Sequence, residues 1–450
     1  MKLTEAYANK LNISEKVYKA KTDGAEMNPL LKTVIARTIA NTSAFLNEAF
    51  ADSVGTQMAA LQQNKKFCID LTTVALANLI ANDLVIVAPM KSETGFIQYI
   101  KIVAGSNKGN IKQGDEFNTP FAYHKMNDDR MNYTSANVVV SVNKPATFKL
   151  PSFAQGVKEI EATKEDGTVE KVVVTDTKAE ISLPENTVSV AYTYDNVTVP
   201  QDDLPVINVE VDSISLKAKV RRIAVFYSQL AKFKAKTEMG IDLGELLTAQ
   251  ACGELSAQID AEVVKTLDNA AGACYEEKDG TGKVIRTLRF NQATPVGISL
   301  RDHYIAFAQT IATGNSIIYE RTQKYGASYM VCGLGVIPMF SVMDGFKAAS
   351  TKAVGAYFAG TLNGLRVYCA PYLASNRYFL GYNGGDMYTS AAVFAPFMAV
   401  VPTQLLEHAD GANTQGFSTM YDVKILNPLL LVAGEIVNEP WVVNTKEQTA

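Results

Sequence analysis

Six apolar residues recur at every fourth position in the middle of this chain: Leu247, Ala251, Leu255, Ile259, Val263 and Leu267. Leu246, Cys252 and Val264 lie beside them, and Glu245, Glu254, Asp260 and Lys265 take the other faces. That period predicts one amphipathic helix over 243–267. At 1.5 Å per residue it is roughly 37 Å long, enough to cross a whole domain as a spine. The chain has 450 residues. One hydrophobic core stops growing at about 250–300 residues, so two or more lobes are expected.

The segments flanking the spine differ in character. Residues 1–66 read as helical. Asn28 is placed to cap a helix begun by Pro29, and Leu31, Ile35, Ile39, Leu46 and Phe50 share one face. This stretch is either an arm that packs on a neighbour or the first layer of a core. A helix over Thr72–Ala81 leads into a short strand, Leu84–Ala88, ended by Pro89. Gly95–Val103 alternates as a strand, with Phe96, Gln98 and Ile100 on one side and Ile97, Tyr99 and Lys101 on the other. Short β-rich runs then follow: Val138–Val142, Val157–Ala162, Val169–Val174, Glu180–Leu183 and Val188–Tyr194. Prolines punctuate them and Asp166-Gly167 supplies a hairpin turn, so 136–203 reads as a small inserted β-sandwich. Val206–Val211 and Ile214–Val225 are extended. Beyond the spine, 270–425 reads as α/β. Asp279-Gly280 turns a hairpin whose second strand is Val284–Phe290, and Ser299–Thr313 and Val336–Met343 are helices. Tyr329–Cys332, Leu365–Tyr368, Tyr378–Tyr382 and Ala391–Val401 are strands, and Leu429–Val437 is the last.

Chemistry-bearing motifs are missing. There is no Gly-x-Ser-x-Gly, no His-Glu-x-x-His and no Gly-x-Gly-x-x-Gly. Gly280-Thr281-Gly282-Lys283 lacks the Ser or Thr of a phosphate loop and reads as a turn. His303 beside Asp302, and His408 near Glu407 and Asp410, read as structural or surface residues. Neighbours in sequence on a helix point in different directions. Five scattered cysteines without a Cys-x-x-Cys pair argue against a zinc or disulfide framework and suggest reduced thiols. The net charge is −4, and the modest basic cluster Lys217, Lys219, Arg221, Arg222, Lys232, Lys234 and Lys236 reads as solvated faces. The first residues do not form a signal peptide and no run reaches about 18 apolar residues, so a soluble chain made in a cytoplasm is expected, with no membrane partner. No catalytic residue, no metal ligand and no cofactor is expected.

Three blocks in order carry a resemblance. The first is Asn78-Leu-Ile-Ala-Asn-Asp-Leu-Val-Ile-Val-Ala-Pro-Met90 with Thr94-Gly95. The second is Ala218-Lys-Val-Arg-Arg-Ile, Tyr227-Ser-Gln-Leu-Ala and Gly240-Ile-Asp-Leu-Gly-Glu. The third runs from Val331-Cys-Gly through Phe358-Ala-Gly-Thr-Leu-Asn-Gly-Leu-Arg-Val-Tyr and Tyr378-Phe-Leu-Gly-Tyr-Asn-Gly to Phe394-Ala-Pro-Phe and Leu426-Asn-Pro. Together they resemble the T-even-type major capsid proteins of tailed bacteriophages, across most of the chain outside 1–66 and 112–203.

That resemblance implies an α+β chain with the Hong Kong 97-type capsid fold. Residues 1–66 would be an N-terminal arm, 67–94 the start of a peripheral domain, and 95–135 the first part of an extended loop. The inserted β-rich domain would be 136–203 and the loop's return strand 204–226. The peripheral domain with its spine helix would occupy 227–269, the axial domain 270–425, and the peripheral return with a C-terminal tail 426–450. The function implied is a shell subunit of the virion, assembled in the bacterial cytoplasm into hexamers, with the pentamers made either by this chain or by a separate vertex protein. Its partners would be other copies of itself, scaffolding, portal, decoration or vertex proteins, and enclosed DNA bound without sequence specificity. The arm is expected to be retained, and no Lys–Asn crosslink is expected. Intersubunit contact is expected at Phe96, Tyr99 and Ile100, laid over a neighbour. Arg221 and Arg222 are either ion-pair partners at that seam or solvated strand ends. The rival classes are an encapsulin-like nanocompartment and a soluble enzyme with an immunoglobulin-like module.

Overall fold

The computed structural model describes residues 4, 6–49, 73–74, 76–105, 113–114, 137–141, 147–150, 157–175, 180–193, 206–240, 243–280, 282–322, 324–349, 355–386, 389–402, 406–408 and 412–440. Phe50, Cys68, Trp441 and most of residues 106–136 lie outside them. The architecture is α+β, in two compact units: 1–97 with 214–450, and 98–213.

The larger unit is built on two sheets and the spine. One sheet has the order β13-β22-β18-β14-β17-β16-β15. These strands are β13 (Arg289–Asn291), β14 (Tyr329–Cys332), β15 (Phe346–Ala348), β16 (Tyr357–Leu362), β17 (Leu365–Cys369), β18 (Arg377–Gly381) and β22 (Leu431–Val437). β14 is buried along its whole length, which is why it reads as an uninterrupted apolar run. The second sheet has the order β1-β19-β21-β10, with β20 (Leu406–Glu407) also on β21. Here β1 is Ile86–Val87, β10 Lys219–Ser228, β19 Ala392–Pro402 and β21 Ala412–Ile425. The β10–β21 ladder runs from Lys219 opposite Tyr421 to Ser228 opposite Ala412.

In chain order the labelled helices are α1 (Ala8–Lys21), α2 (Pro29–Ala49), α3 (Ala81–Leu84), α4 (Gln229–Lys234), α5 (Leu243–Ala271), α6 (Leu300–Thr322) and α7 (Ile337–Phe340). The spine, α5, serves two cores. Its first half buries Ala251, Cys252 and Leu255 against Val400 and Phe417. Its second half sends Ile259, Val263, Val264 and Leu267 into the large cluster with the seven-stranded sheet. It runs four residues past Leu267 and stops where Gly272 takes a positive φ of 76°. Arg377 donates to Asp268 Oδ1 at 2.5 Å and to the Gly272 carbonyl, placing a cation at the negative end of the helix dipole. Asp260 is not on a polar face, as its spacing suggested. It is buried, and its Oδ1 accepts from the Ala81 amide at 3.2 Å, at the start of α3.

Other sequence expectations need adjustment. Helix α6 continues beyond Thr313 to Thr322, and the glycine inside it, Gly314, is a point of close approach where a Cβ would collide with Leu380. The α7 helix is one turn rather than eight residues. The extended run Val284–Phe290 divides: Val284–Thr287 (β12) pairs with β11 (Glu276–Lys278), whereas β13 pairs in parallel with β22. The 14-residue β21 was not anticipated at all. α1 and α2 contribute Leu11, Tyr18, Leu31, Ile35, Ala36 and Ile39 to the large core, so this stretch forms a layer of its own chain's core. Asn28 Oδ1 accepts the Leu30 amide at 2.9 Å, as its position before Pro29 predicted.

The smaller unit holds a four-stranded sheet, order β3-β8-β5-β6, and a two-stranded pair, β4-β7. The strands are β3 (Asn137–Ser141), β4 (Thr147–Lys149), β5 (Glu159–Lys164), β6 (Val169–Val173), β7 (Glu180–Ser182) and β8 (Thr187–Thr193). Leu150, Val157, Ile160, Ala162, Ile181, Leu183, Val190 and Tyr192 form its own core. The β5–β6 turn is the expected one: Gly167 has φ 82°, and Asp166 Oδ1 accepts the Thr168 amide at 2.9 Å.

Candidate intersubunit surface

Strands β2 (Thr94–Ala104) and β9 (Ile207–Lys217) pair as a ribbon. Glu93 O accepts from the Ala218 amide at one end and Val206 O from the Gly105 amide at the other, so the strands are antiparallel. Tyr99 donates its hydroxyl to Asp212 Oδ2 at 3.1 Å, in the same register. Gly105 permits the close approach: a Cβ there would meet Val206 Cγ1 at 2.9 Å. This register sets Ile100 opposite Val211.

The two sides of β2 have different fates. Ile97 and Val103 are buried and Tyr99 is half-buried, whereas Phe96 and Ile100 are 71% and 53% exposed. Across the ribbon, Val209 and Val211 are 66% and 70% exposed. An isolated β-ribbon is marginal in water. This one carries a row of exposed apolar side chains among the described residues.

Arg221 and Arg222 part company. Arg221 makes a two-pronged contact with Glu262 of the spine, Nη2 to Oε1 at 2.5 Å and Nε to Oε2 at 3.2 Å. Its guanidinium sits 5.0 Å from the ring centre of Tyr421, whose hydroxyl donates to Glu262 Oε2 at 2.6 Å. Burial opposes ionisation of Glu262, but the Arg221 and Tyr421 hydrogen bonds outweigh it and hold the carboxyl below its ordinary value. Arg222, one residue on, is exposed.

Past β10, Ser228 caps α4 by accepting the Ala231 amide at 3.1 Å. A π-helical turn, Ala235–Met239, follows and ends at Gly240 with φ 68°. No residue of either helical piece is buried. Sequence reasoning read the basic residues here but not the apolar ones between them, Leu230, Phe233 and Met239.

Nothing in the described residues assembles into a reaction centre. His303 is buried, stacked on Phe290, and shares a 2.7 Å hydrogen bond with the Asn291 carbonyl. His408 is exposed, 3.0 Å from Thr414 Oγ1. Between the paired strands β11 and β12, Asp279 Oδ1 accepts the Lys283 amide at 2.9 Å. Cys252, Cys274, Cys332 and Cys369 are free thiols. No group of three His, Cys, Asp or Glu residues is placed to hold a metal among the described residues. No described helix is long and apolar enough to cross a membrane.

Comparison with known proteins closes this part of the argument. The family model for major capsid protein Gp23 matches residues 61–447. The chain is 23% identical over 401 residues to the major capsid protein of Escherichia phage AR1, covering 79% of this chain and 73% of that one. It is 23% identical over 242 residues to that of Enterobacteria phage T4, covering 48% of this chain and 44% of that one. Among solved structures it is similar to the mature capsid of bacteriophage PhiM1, with a TM-score of 0.36, 10% identity, and 74% and 92% of the two chains covered. The chain is a structural subunit of a viral coat. It belongs to the Gp23 family of bacteriophage major capsid proteins, and its place is the capsid of the virion, as one tile of a multimeric shell.

Proposed function

We propose that the chain has the Hong Kong 97-type capsid fold and builds closed rings, hexamers and pentamers, that join into a shell around packaged double-stranded DNA. In this reading α5 is the spine of the peripheral domain, the seven-stranded sheet is the axial domain, β2 and β9 are the extended loop, and the sandwich of β3 to β8 is the domain inserted into that loop. Scaffolding and portal proteins are its assembly partners. It performs no catalysis. DNA is enclosed without sequence-specific binding, in keeping with a net charge of −4.

The uncovered apolar face of the ribbon carries this reading. In a ring of identical subunits each copy offers one surface and receives another. A row holding Phe96, Ile100, Val209 and Val211 gains only when a neighbour covers it. Burying side chains of this kind contributes about 1.5–3 kcal/mol each, and the gain repeats at every seam.

The test is assembly of the purified full-length chain, followed by light scattering and electron microscopy. Wild-type protein is expected to form hollow closed shells. Phe96→Ser, Ile100→Ser and Val211→Ser together are expected to abolish them while the melting temperature stays put, because these side chains are exposed in the free subunit. Shells formed normally by the triple variant would refute the role of the ribbon.

A further inference from the structure

Helical segments as short as 229–239 are marginal in water unless one face packs on something. Here nothing is buried: Leu230, Phe233 and Met239 stand 64%, 66% and 73% exposed, next to an exposed Phe226 on β10. Charge says what kind of cover fits. Residues 217–239 hold seven cations and a single acid, Glu238, a surplus of six. The whole chain is at −4, so the remainder is ten charges negative. Arg221 is committed to Glu262, but Lys232, Lys234 and Lys236 have no carboxylate partner among the described residues.

The acidic counterpart is on the same polypeptide. Described residues 157–193 contain seven acids against three lysines. The outer face of the β5–β6 hairpin pairs Glu159 with Val173 and Glu161 with Lys171. It leaves Val169 and Val173 exposed beside Glu159 and Glu161, with Lys171 between them at 3.9 and 3.7 Å from the two carboxylates, so that the acidic surplus of the unit is only partly offset on this face. Opposite charge beside matching apolar contacts fixes partner and register together.

We propose that the basic, apolar-studded segment 219–239 receives the acidic β5–β6 face of a second copy of this chain; the inference rests on the shell-forming reading above. One donor face and one receiving face per subunit is the arrangement that closes a heterologous ring.

A charge swap on the full-length protein tests it. Lys232→Glu, Lys234→Glu and Lys236→Glu form one variant; Glu159→Lys, Glu161→Lys and Glu165→Lys form the other. Five of the six side chains are exposed and Lys232 is half-buried, so both variants are expected to melt like wild type. Each alone is expected to lose at least tenfold in shell yield. An equimolar mixture, which pairs each altered face with its complement on a different chain, is expected to recover most of it. Normal shells from the lysine variant, or no recovery in the mixture, would overturn the proposal. So would a lysine variant that assembles normally when pure and fails only beside other virion proteins, since the segment would then serve a different partner. Failure of the wild-type chain to form any shell would sink the assembly reading itself.

Discussion

Arg221 and Arg222 are neighbours in sequence, yet their replacement by alanine has separable consequences. Arg221→Ala removes the two-pronged contact to Glu262 and the guanidinium above Tyr421. The side chains of Arg221 and Glu262 are 27% and 35% exposed, so solvent screens the pair. An ion pair of this kind contributes about 0.2–1 kcal/mol, and the ring contact about 0.5–1. The loss is therefore roughly 1–2 kcal/mol, a fall of about 1–2 °C in melting temperature for a chain of 450 residues. Arg222→Ala removes a side chain that faces solvent and is expected to leave the melting temperature unchanged, while shell yield drops if Arg222 serves the seam. The assay is thermal unfolding of free subunits, with Glu262→Gln completing a double-mutant cycle for Arg221.

Acidity adds an independent check. The Glu262 carboxyl is held below its ordinary value in the fold, so the stability it contributes is fully present above its unfolded value near 4.3. It is lost as pH falls through the lower folded value. The cost of Arg221→Ala should therefore shrink below about pH 4. Equal melting shifts for the two arginine variants, or a cost of Arg221→Ala that persists in acid, would refute the division of labour.

Two further outcomes follow from the buried polar groups. Tyr18 donates to Asp83 at 2.6 Å and ties α1 to α3; Tyr18→Phe is expected to cost about 1.5–3 kcal/mol and to raise amide exchange across Ala8–Lys21, and unchanged protection there would contradict it. Burial pushes Asp260 up to about 6, with Lys21 and the Ala81 and Ile80 amides pulling it down and Asp83 raising it. A raised carboxyl means the fold holds its proton more tightly, so stability is greatest below the unfolded value near 3.9 and declines as pH rises to about 6; Asp260→Asn should remove about 3 kcal/mol of that decline in urea unfolding, and parallel profiles for the two proteins would contradict it.

The parts of this fold legible in the sequence are those whose side chains face one environment per period. The spine showed itself by its i+4 apolar row, β14 by an unbroken apolar run, and α2 by Asn28 and Pro29. β21 escaped because its period-2 signal is broken on both faces: the buried set Phe417, Thr419 and Tyr421 includes a threonine, and the positions between them, Ser418 and Met420, include an apolar residue. That threonine is buried by donating to the Met398 carbonyl at 3.1 Å. Asp260 escaped for a related reason: charge was taken as a sign of solvent, whereas its partner is an amide distant in sequence. The contact residues were half legible. Alternation placed Phe96 and Ile100 on one side of β2, but no spacing rule reveals that Arg221 meets Glu262, forty-one residues away on another element.

The strand β10 shows why this limit matters for a coat protein. Successive residues of a strand point to opposite faces. Ile223 and Val225 turn toward the spine and pack on its first core, and Arg221 turns with them. Val220, Arg222, Ala224 and Phe226 turn outward and are exposed. A single ten-residue run thus carries the subunit's own stability on odd positions and an unoccupied surface on even ones. A substitution therefore acts on folding or on assembly according to the parity of its position. A shift of one residue in the β10–β21 register would exchange the two sets at once, burying Arg222 and Phe226 against the helix and exposing Ile223 and Val225. The ladder that fixes Arg221 opposite Thr419 and Ile223 opposite Phe417 is then as much a condition for building the shell as for folding the tile.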